Sequence, residues 1–308
     1  MSRDEKLVHE ALLYRGRDEF LATVLPFVRD ALEADVMMLA VVPQPAIEAL
    51  RDSLGSASTS VGFLDASTFY EHPVRTIAAY SQVVTQAAPR RVWALAEPSW
   101  QGRSPAEVME WARYESIVNA AFETSGARVI CPYDVGELSG EVVAEAKRTH
   151  PRLLDATGRW TSLGYLPPKD FNRECDRSPL PPPPPRAERL RFEKAEDLRG
   201  LRRFVADYAT RRRMADSALA KLHIAMDEVA GNAVRHGTPP MELRVWTEGG
   251  RLICEVADYG HWHPDALVGF LPPGEGLGLW GARMLVDLVQ IRAGWSGTYI
   301  RLHTRLSR

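Results

Sequence analysis

The stretch "MDEVAGNAVRHG", Met226 to Gly237, closes a long amphipathic pattern and decides how the second half of the chain is read. Leu222, Met226, Val229, Ala230 and Ala233 recur at helical spacing and form an apolar stripe that faces a core. Glu228, Asn232 and His236 follow one another at four-residue intervals. Residues four apart share a helix face, so a carboxylate, a carboxamide and an imidazole stand in a row beside the stripe. Gly237 then stops the pattern, where a left-handed cap is expected. Taken alone, a Glu-x-x-x-Asn pair also reads as the polar rim of an ordinary core helix.

The segments that follow narrow the choice. "MELRVWTE" and "RLICEVAD" alternate as two strands joined by Gly249-Gly250 in a tight hairpin. The second strand ends on Asp258 and turns at Gly260. The segment "HWHPDALVGFLPPGEGLGLWGARM" then supplies Gly274, Gly276 and Gly278 immediately before an amphipathic helix, read as "LGLWGARMLVDLV". Glycines there let backbone N–H groups approach an anion closely, and the helix N-terminus adds positive dipole. The spacing is neither the strand-adjacent dinucleotide fingerprint nor a phosphate loop ending in Gly-Lys-Ser/Thr. With the strand "RLRFEK" and the helix "AEDLRGLRRFVADYATRR" before it and the strands "QIRAG" and "TYIRLHTRL" after it, this half reads as an α+β sandwich with helices on one face.

Upstream stands a proline run. Six of the seven residues from Pro179 to Pro185 are proline, which favours an extended, semi-rigid spacer. Residues 171–187 are therefore read as a linker, with "LPPKDFNRECDRS" as its approach, dividing a first domain (1–170) from a second (188–308). Before the linker, apolar strands alternate with amphipathic helices: "HEALLY", "DVMMLAVV", "SVGFLDA", "RVWALAE" and "ARVICPYD" are strands separated by helical segments. That alternation predicts an α/β domain with a mostly parallel sheet covered on both faces.

Composition bounds the function. A chain of 308 residues with 45% hydrophobic and 25% charged residues is a two-domain globular protein. Its formal net charge of -2 offers no global field for nucleic acid or acidic membranes, and the basic stretch from Arg186 to Arg213 reads as a solvated helix face. Cys131, Cys175 and Cys254 form neither a metal-ligand pattern nor a disulfide framework, as in a reducing compartment. The N-terminus "MSRDEKLVHE" has no apolar signal core, and no apolar run is long enough to span a bilayer. A cytoplasmic location is expected.

Taken in order, the Glu/Asn helix, the strand-ending Asp-x-Gly and the Gly-x-Gly before a helix resemble the GHKL (Bergerat-fold) ATPase superfamily, from about Arg189 to Leu306. "DEVAGNAVRHG" is most similar to the N-box of anti-sigma-factor serine/threonine kinases, Glu-Ala-x-x-Asn-Ala-x-x-His-Gly, with Val229 in place of the first alanine. The resemblance implies an ATP and Mg²⁺ site. Asn232 would offer a hard amide oxygen to Mg²⁺, and Asp258 would accept from the adenine amine. Gly260 would admit the base, while Gly274, Gly276, Leu277 and Gly278 would meet the phosphates. His236 would cap the helix end or touch phosphate. Glu228 would orient or deprotonate an attacking hydroxyl, and His261 to Glu275 could form a mobile lid. It further implies a sigma factor or an anti-sigma antagonist as partner, and a homodimer. One departure stands out. The arginine common in the lid of those kinases falls here on Gly274, followed by Glu275. An ATP-gated, partner-sequestering protein without phosphoryl transfer is therefore an alternative. An atypical sensor histidine kinase is a second, since "EHPVRT" resembles its acceptor motif; but His72 directly precedes Pro73, which disfavours helical backbone there.

In the first half, "HEALLYRGRDEF", "WARYESIVNAAFE" and "ICPYD" resemble the MEDS-type sensory domain, a RecA-like module, over about His9 to Leu154. "YRGRDE" lacks a phosphate-loop ending, so no nucleotide hydrolysis is expected of it. In open parallel sheets ligands bind beyond the carboxyl ends of the strands. That rule points to Tyr14, Glu97, Tyr133 and Asp134 for an unidentified small molecule, with His9, Cys131, Glu115 and Asn119 as neighbours. Trp93, Trp100 and Trp111 are read as core. The whole is expected to be a signalling switch: sensory domain, proline spacer, ATP-binding output domain.

Overall fold

Strand β1 (Val8–Tyr14) is buried on both faces, as a strand in the middle of a helix-covered sheet must be, and carries His9 and Glu10 inside with its apolar residues. It belongs to a computed structural model that describes residues 6–262, 265, 267–273, 276–294 and 296–306. The chain divides into two units, Met1–Phe171 and Asn172–Arg308.

In the first unit, β1 is followed by α1 (Gly16–Glu33), β2 (Met37–Val42), α2 (Gln44–Leu54), β3 (Val61–Asp65), the short α3 (Ala66–Phe69) and α4 (Pro73–Ala87). Then come β4 (Val92–Ala96), α5 (Pro105–Ala121), β5 (Arg128–Asp134), α6 (Gly140–Thr149), β6 (Arg152–Asp155) and β7 (Gly158–Thr161). The sheet runs β3-β2-β4-β5-β1-β6-β7. All its pairs are parallel except the β6–β7 hairpin at one edge. All five residues of β4 are buried, so helices cover both faces. Helix α5 starts on a capping box in which Ser104 and Glu107 each bind the other's backbone N–H. It is buried all round from Glu110 to Val118, which carries two carboxylates and an arginine into the interior.

The sequence reading leaves 151–177 without elements, whereas the structure places there the β6–β7 hairpin and helix α7 (Pro168–Arg177). Four-residue strands and a mostly charged helix carry too little apolar periodicity to be recognised. Phe171, fully buried under the Arg148 guanidinium 5.0 Å from its ring centroid, holds the start of that helix.

The second unit comprises β8 (Glu188–Phe192), α8 (Leu198–Thr210), α9 (Asp216–His236), β9 (Met241–Glu248), β10 (Arg251–Asp258), α10 (Gly278–Leu285), β11 (Leu288–Gly294) and β12 (Gly297–Arg305). Its strands form one antiparallel sheet in the order β11-β12-β10-β9-β8. Gly249 and Gly250 both adopt positive φ, 56° and 74°, as a two-residue hairpin whose twist matches its strands requires. The α9 stripe packs as expected: Leu222, Met226, Val229, Ala230 and Ala233 join Leu201, Val205 and Tyr208 of α8 against Leu243, Val256 and Leu302 of the sheet. Helix α10 ends at Leu285, four residues earlier than the sequence suggests. The run "LVDLVQI" suits either state, and pairing settles it: the Asp287 N–H donates to the His303 carbonyl, and β11 zips onto β12.

The sheet's other face is polar but sealed. Glu255, almost wholly buried, accepts from Arg244 Nη1 at 2.7 Å and from Arg301 Nε at 2.5 Å. Arg301 Nη2 also donates to the Pro181 carbonyl at 2.5 Å, and Arg292 Nε to the Ser178 carbonyl at 2.6 Å. Ala187 packs with Trp246 and Ile253. The start of the proline run thus lies along this sheet face, with Pro181 accepting through its carbonyl where it has no N–H to give. Among the described residues no helix is long and apolar enough to cross a membrane. Replacing Glu255 with alanine leaves the buried Arg301 guanidinium without its counter-charge, while Arg244 keeps that of Glu242. A loss of about 3 kcal/mol is expected for the second unit, measurable by urea denaturation of the full chain followed by circular dichroism.

Candidate functional site

Helix α9 brings its polar row to the wall of a cavity of about 790 Å³. Glu228, Asn232 and His236 line it, with Asp258 and Gly260 at the end of β10 and Gly278 at the start of α10. Trp262, Leu267, Val268, Leu271 and Pro273, from the described part of the segment read as a lid, make an apolar wall. Gly276 and Leu277 lie just before α10 and are exposed; Gly276 and Gly278 both hold positive φ, 71° and 54°. Gly274 and Glu275 lie outside the described residues.

Along the helix the row is internally bonded. Asn232 Nδ2 donates to Glu228 Oε1 at 3.2 Å, which fixes the amide with its oxygen outward. That oxygen accepts from Arg235 Nη2 at 2.6 Å, and the same guanidinium stands 3.9 Å from Glu228. Arg235 was not singled out from the sequence. Its signal was the i, i+3 spacing from Asn232, which places both on one face. His236, the last residue of α9, is exposed and makes no hydrogen bond among the described residues. It is on the rim of the cavity and not a helix cap.

Gly237 ends α9, but not in the left-handed conformation expected of it. Its φ of -80° and ψ of -177° are extended. The reason for glycine is space: a Cβ there would lie 2.5 Å from the Ala233 carbonyl oxygen and 2.8 Å from Asp258 Cγ. Gly260 is tight for the same reason, its Cβ position falling 2.7 Å from Asp258 Oδ1. Two glycines therefore clasp the Asp258 carboxylate, whose Oδ1 accepts from the Gly260 N–H at 2.6 Å and the Thr238 N–H at 3.4 Å. Oδ2 has no partner among the described residues. Burial pushes this carboxyl above the usual aspartate range against the pull of those two N–H groups.

The candidates of the first unit fall into two clusters, because successive residues of a strand point to opposite faces. Tyr14 lies on the α1 side, its ring 5.3 Å from that of Phe20. Tyr14 Oη donates to Glu97 Oε1 at 3.1 Å, while Glu97 Oε2 is buried without a partner. Burial drives the Glu97 carboxyl up to about 7. Asp134 serves the loops: its oxygens accept from Gly16 N–H at 3.1 Å and Gly136 N–H at 2.8 Å.

His9 is five residues earlier in β1 than Tyr14, about 16 Å along the strand. It cannot join a site at the strands' carboxyl ends, contrary to expectation. It shares the opposite face with Cys131 and Tyr133, under α5, with Glu115 and Asn119. His9 Nε2 lies 3.3 Å from Cys131 Sγ and 3.6 Å from Glu115 Oε2. His150, which follows α6 and was not anticipated, puts its Nε2 3.5 Å from the same carboxylate oxygen. Burial and the neighbouring His150 hold His9 below the ordinary histidine range. Burial raises Glu115, but the two imidazoles outweigh it and hold the carboxyl at about 2. Burial pushes the Cys131 thiol up. Tyr133 Oη is buried without a partner, its ring 5.9 Å from that of Trp100. Trp93, Trp100 and Trp111 are all buried side chains of the core.

An antiparallel sheet with helices on one face, and a cavity walled by a Glu/Asn helix, a strand-ending Asp and a glycine turn before a short helix, define a GHKL-type ATPase fold. Comparison with known families agrees for both units. Residues 193–304 match the histidine kinase-like ATPase domain, and residues 8–151 match MEDS, the methanogen/methylotroph DcmR sensory domain. The chain thus joins a MEDS domain to an ATP-binding, histidine kinase-like ATPase domain. Among solved structures, the RsbU and RsbW domains of Rv1364c from Mycobacterium tuberculosis match at 25% identity and a TM-score of 0.32, over 39% of this chain and 33% of that one. The chain therefore spans a third of that structure's length. The histidine kinase domain of a blue-light activated histidine kinase from Erythrobacter litoralis matches at 13% identity and a TM-score of 0.27, over 65% of this chain and 92% of that one. No curated protein matches.

Two outcomes follow from this geometry. Gly237→Ala has to push α9 away from Asp258, so ATP affinity is expected to fall more than tenfold by calorimetry while the sheet still folds. For Glu97, the folded carboxyl keeps its proton to about pH 7 whereas the unfolded one loses it near 4.5. Stability of the first unit therefore falls as pH rises through that window, by on the order of 2 kcal/mol. Glu97→Gln should remove that slope in thermal melts recorded from pH 5 to 8.

Proposed function

We propose that the 790 Å³ cavity holds Mg-ATP and that the second domain is an anti-sigma-type protein serine/threonine kinase acting on a small antagonist protein. The carrying observation is the bonded Glu228–Asn232 pair facing a glycine-clasped Asp258 across one cavity. Asp258 Oδ2, free of protein partners among the described residues, accepts the adenine amine; a base without that donor would leave a buried carboxylate unpaired. The N-terminus of α10 and the left-handed Gly276 and Gly278 present backbone N–H groups to phosphate oxygens.

The donor set suits magnesium. Asn232 Oδ1 is a hard oxygen held outward by its bond to Glu228, and it already attracts a cation, the Arg235 guanidinium. Asn232 would hold the metal ion, which supplies charge neutralisation between phosphates. Arg235 must turn from the amide oxygen as the site fills. Its flexible, exposed side chain then lies within reach of the cavity mouth as the positive charge that the lid sequence, Gly274-Glu275, lacks. Glu228 takes the proton from the partner's serine or threonine hydroxyl as its oxygen bonds to the γ-phosphorus and ADP departs. The first domain supplies the input, and a sigma factor or its antagonist receives the output.

A second reading, nucleotide-gated sequestration without transfer, is favoured by the same Arg235 contact if the guanidinium stays on Asn232 and keeps the metal out. A histidine kinase is disfavoured in this chain. His72 is an extended, buried N-cap of α4 (φ -149°), unsuited to be a phosphoacceptor on a helix surface. Transfer of labelled phosphate from ATP to a candidate antagonist separates the first two. Glu228→Gln is expected to keep ATP but lose at least about 10²-fold in transfer rate. Asn232→Ala and Asp258→Ala are expected to lose nucleotide. Equal, negligible transfer by wild type and Glu228→Gln, with ATP and partner both bound, would leave the sequestering reading.

A further inference from the structure

In the first domain, four ligand-type atoms converge in the interior. His9, Glu115, Cys131 and His150 are each at most 2% exposed, and one donor atom from each lies within 4.8 Å of all the others. Four of the separations are short: Nε2 of His9 to Sγ of Cys131, 3.3 Å; Sγ to Oε2 of Glu115, 3.8 Å; and Oε2 to Nε2 of His9 and of His150, 3.6 and 3.5 Å. A tetrahedral zinc ion with bonds of about 2.0–2.3 Å has ligand-to-ligand edges of roughly 3.3–3.8 Å. The cluster is thus already near the size of such a shell.

The outer contacts fix which atoms face inward. Asn119 Nδ2 donates to the carbonyls of Thr149 at 2.8 Å and Ser116 at 3.2 Å, so the amide can only turn its oxygen toward His9. That oxygen lies 3.1 Å from His9 Nδ1, which must carry the hydrogen. His150 Nδ1 lies 2.9 Å from the Ala146 carbonyl oxygen and must carry one too. With Nδ1 of each ring turned outward, Nε2 of both faces the Glu115 carboxylate, and His150 Nε2 has no hydrogen-bond partner. Two ring nitrogens and a thiol can surround a buried carboxylate only with positive charge among them, supplied by protons or by a metal ion. Anchoring a histidine through its outer nitrogen is also how metal-binding imidazoles are oriented.

We propose that His9, Glu115, Cys131 and His150 bind a zinc-class divalent ion in the MEDS domain. The charges balance: a dication, one thiolate, one carboxylate and two neutral imidazoles sum to zero, the state a buried site tolerates. On binding, the Cys131 S–H bond breaks, its proton leaves to solvent and the sulfur lone pair forms the metal–sulfur bond. Both imidazoles bind through Nε2 with their Nδ1 hydrogens kept, and no electron transfer is involved. Asn119 is a positioning residue acting through His9. The inference does not depend on the ATP-site reading.

The test uses the full chain, produced in zinc- and in cobalt-supplemented minimal medium and analysed for metal by mass spectrometry. About one metal ion per chain is expected. The cobalt form is expected to show the intense visible bands of a tetrahedral site and a thiolate-to-cobalt charge-transfer band. Cys131→Ser and His150→Gln should retain less than a tenth of the metal, Asn119→Ala should weaken binding about 10–100-fold, and Cys175→Ser should retain it in full. Should the variants fail to fold, the wild-type cobalt spectrum decides alone. Wild type without stoichiometric metal, or cobalt bound without a thiolate band, overturns the proposal in favour of a metal-free, proton-sharing histidine–glutamate cluster. Metal retained by folded Cys131→Ser and His150→Gln overturns it as well.

Discussion

The second domain depends on how closely α9 can end against β10. Gly237 and Gly260 leave no volume for a side chain around the Asp258 carboxylate, and that carboxylate ties the two backbones together through N–H groups of Thr238 and Gly260. The contact sets where the helix stops, which in turn sets how far Asn232 and Glu228, one and two turns back, stand from the strand end. One oxygen of Asp258 is consumed in holding the chain, and the other has no partner among the described residues. A single carboxylate thus joins the architecture of the domain to the lining of its cavity.

The opposite face of the same sheet shows a different solution. A row of arginines there is paired with Glu242 and Glu255 and donates to the carbonyls of Ser178 and Pro181, at and beside a proline run that accepts hydrogen bonds where it has none to give. Such a surface is specified by geometry more than by energy, because the desolvation of paired charges offsets most of their attraction. Prolines suit the role. They hold an extended path with little entropy left to lose, and their carbonyls project at intervals along it.

In the first domain, the parallel sheet separates polar groups by face. Tyr14 and Glu97 occupy one side near the strand ends, where a carboxyl raised by burial meets a phenol. His9, Cys131, Glu115 and His150 occupy the other, deeper and almost wholly buried. The division follows from the two-residue period of a strand. His9 and Tyr14 differ by an odd number of positions, so no ligand can touch both without crossing the sheet. Helix α5, buried on all sides, allows a carboxylate to reach so far inside.

Much of this was legible in the sequence. Helical period placed the α9 stripe and set Glu228, Asn232 and His236 in one row; strand alternation distinguished a parallel first sheet from an antiparallel second one; the Gly-Gly pair marked its hairpin. These are local properties, decided within a few residues by backbone sterics and side-chain spacing. Other features had no local signature. Gly237 is required by a carboxylate twenty-one residues away in sequence, not by its own φ. Helix α10 gives way to β11 because β12 offers hydrogen bonds that outweigh helical continuation. The ligand cluster draws on β1, α5, β5 and the end of α6, so three scattered cysteines and a terminal-helix histidine showed no pattern along the chain. Spacing reports which atoms share a face of one element; only the packed fold determines which faces meet.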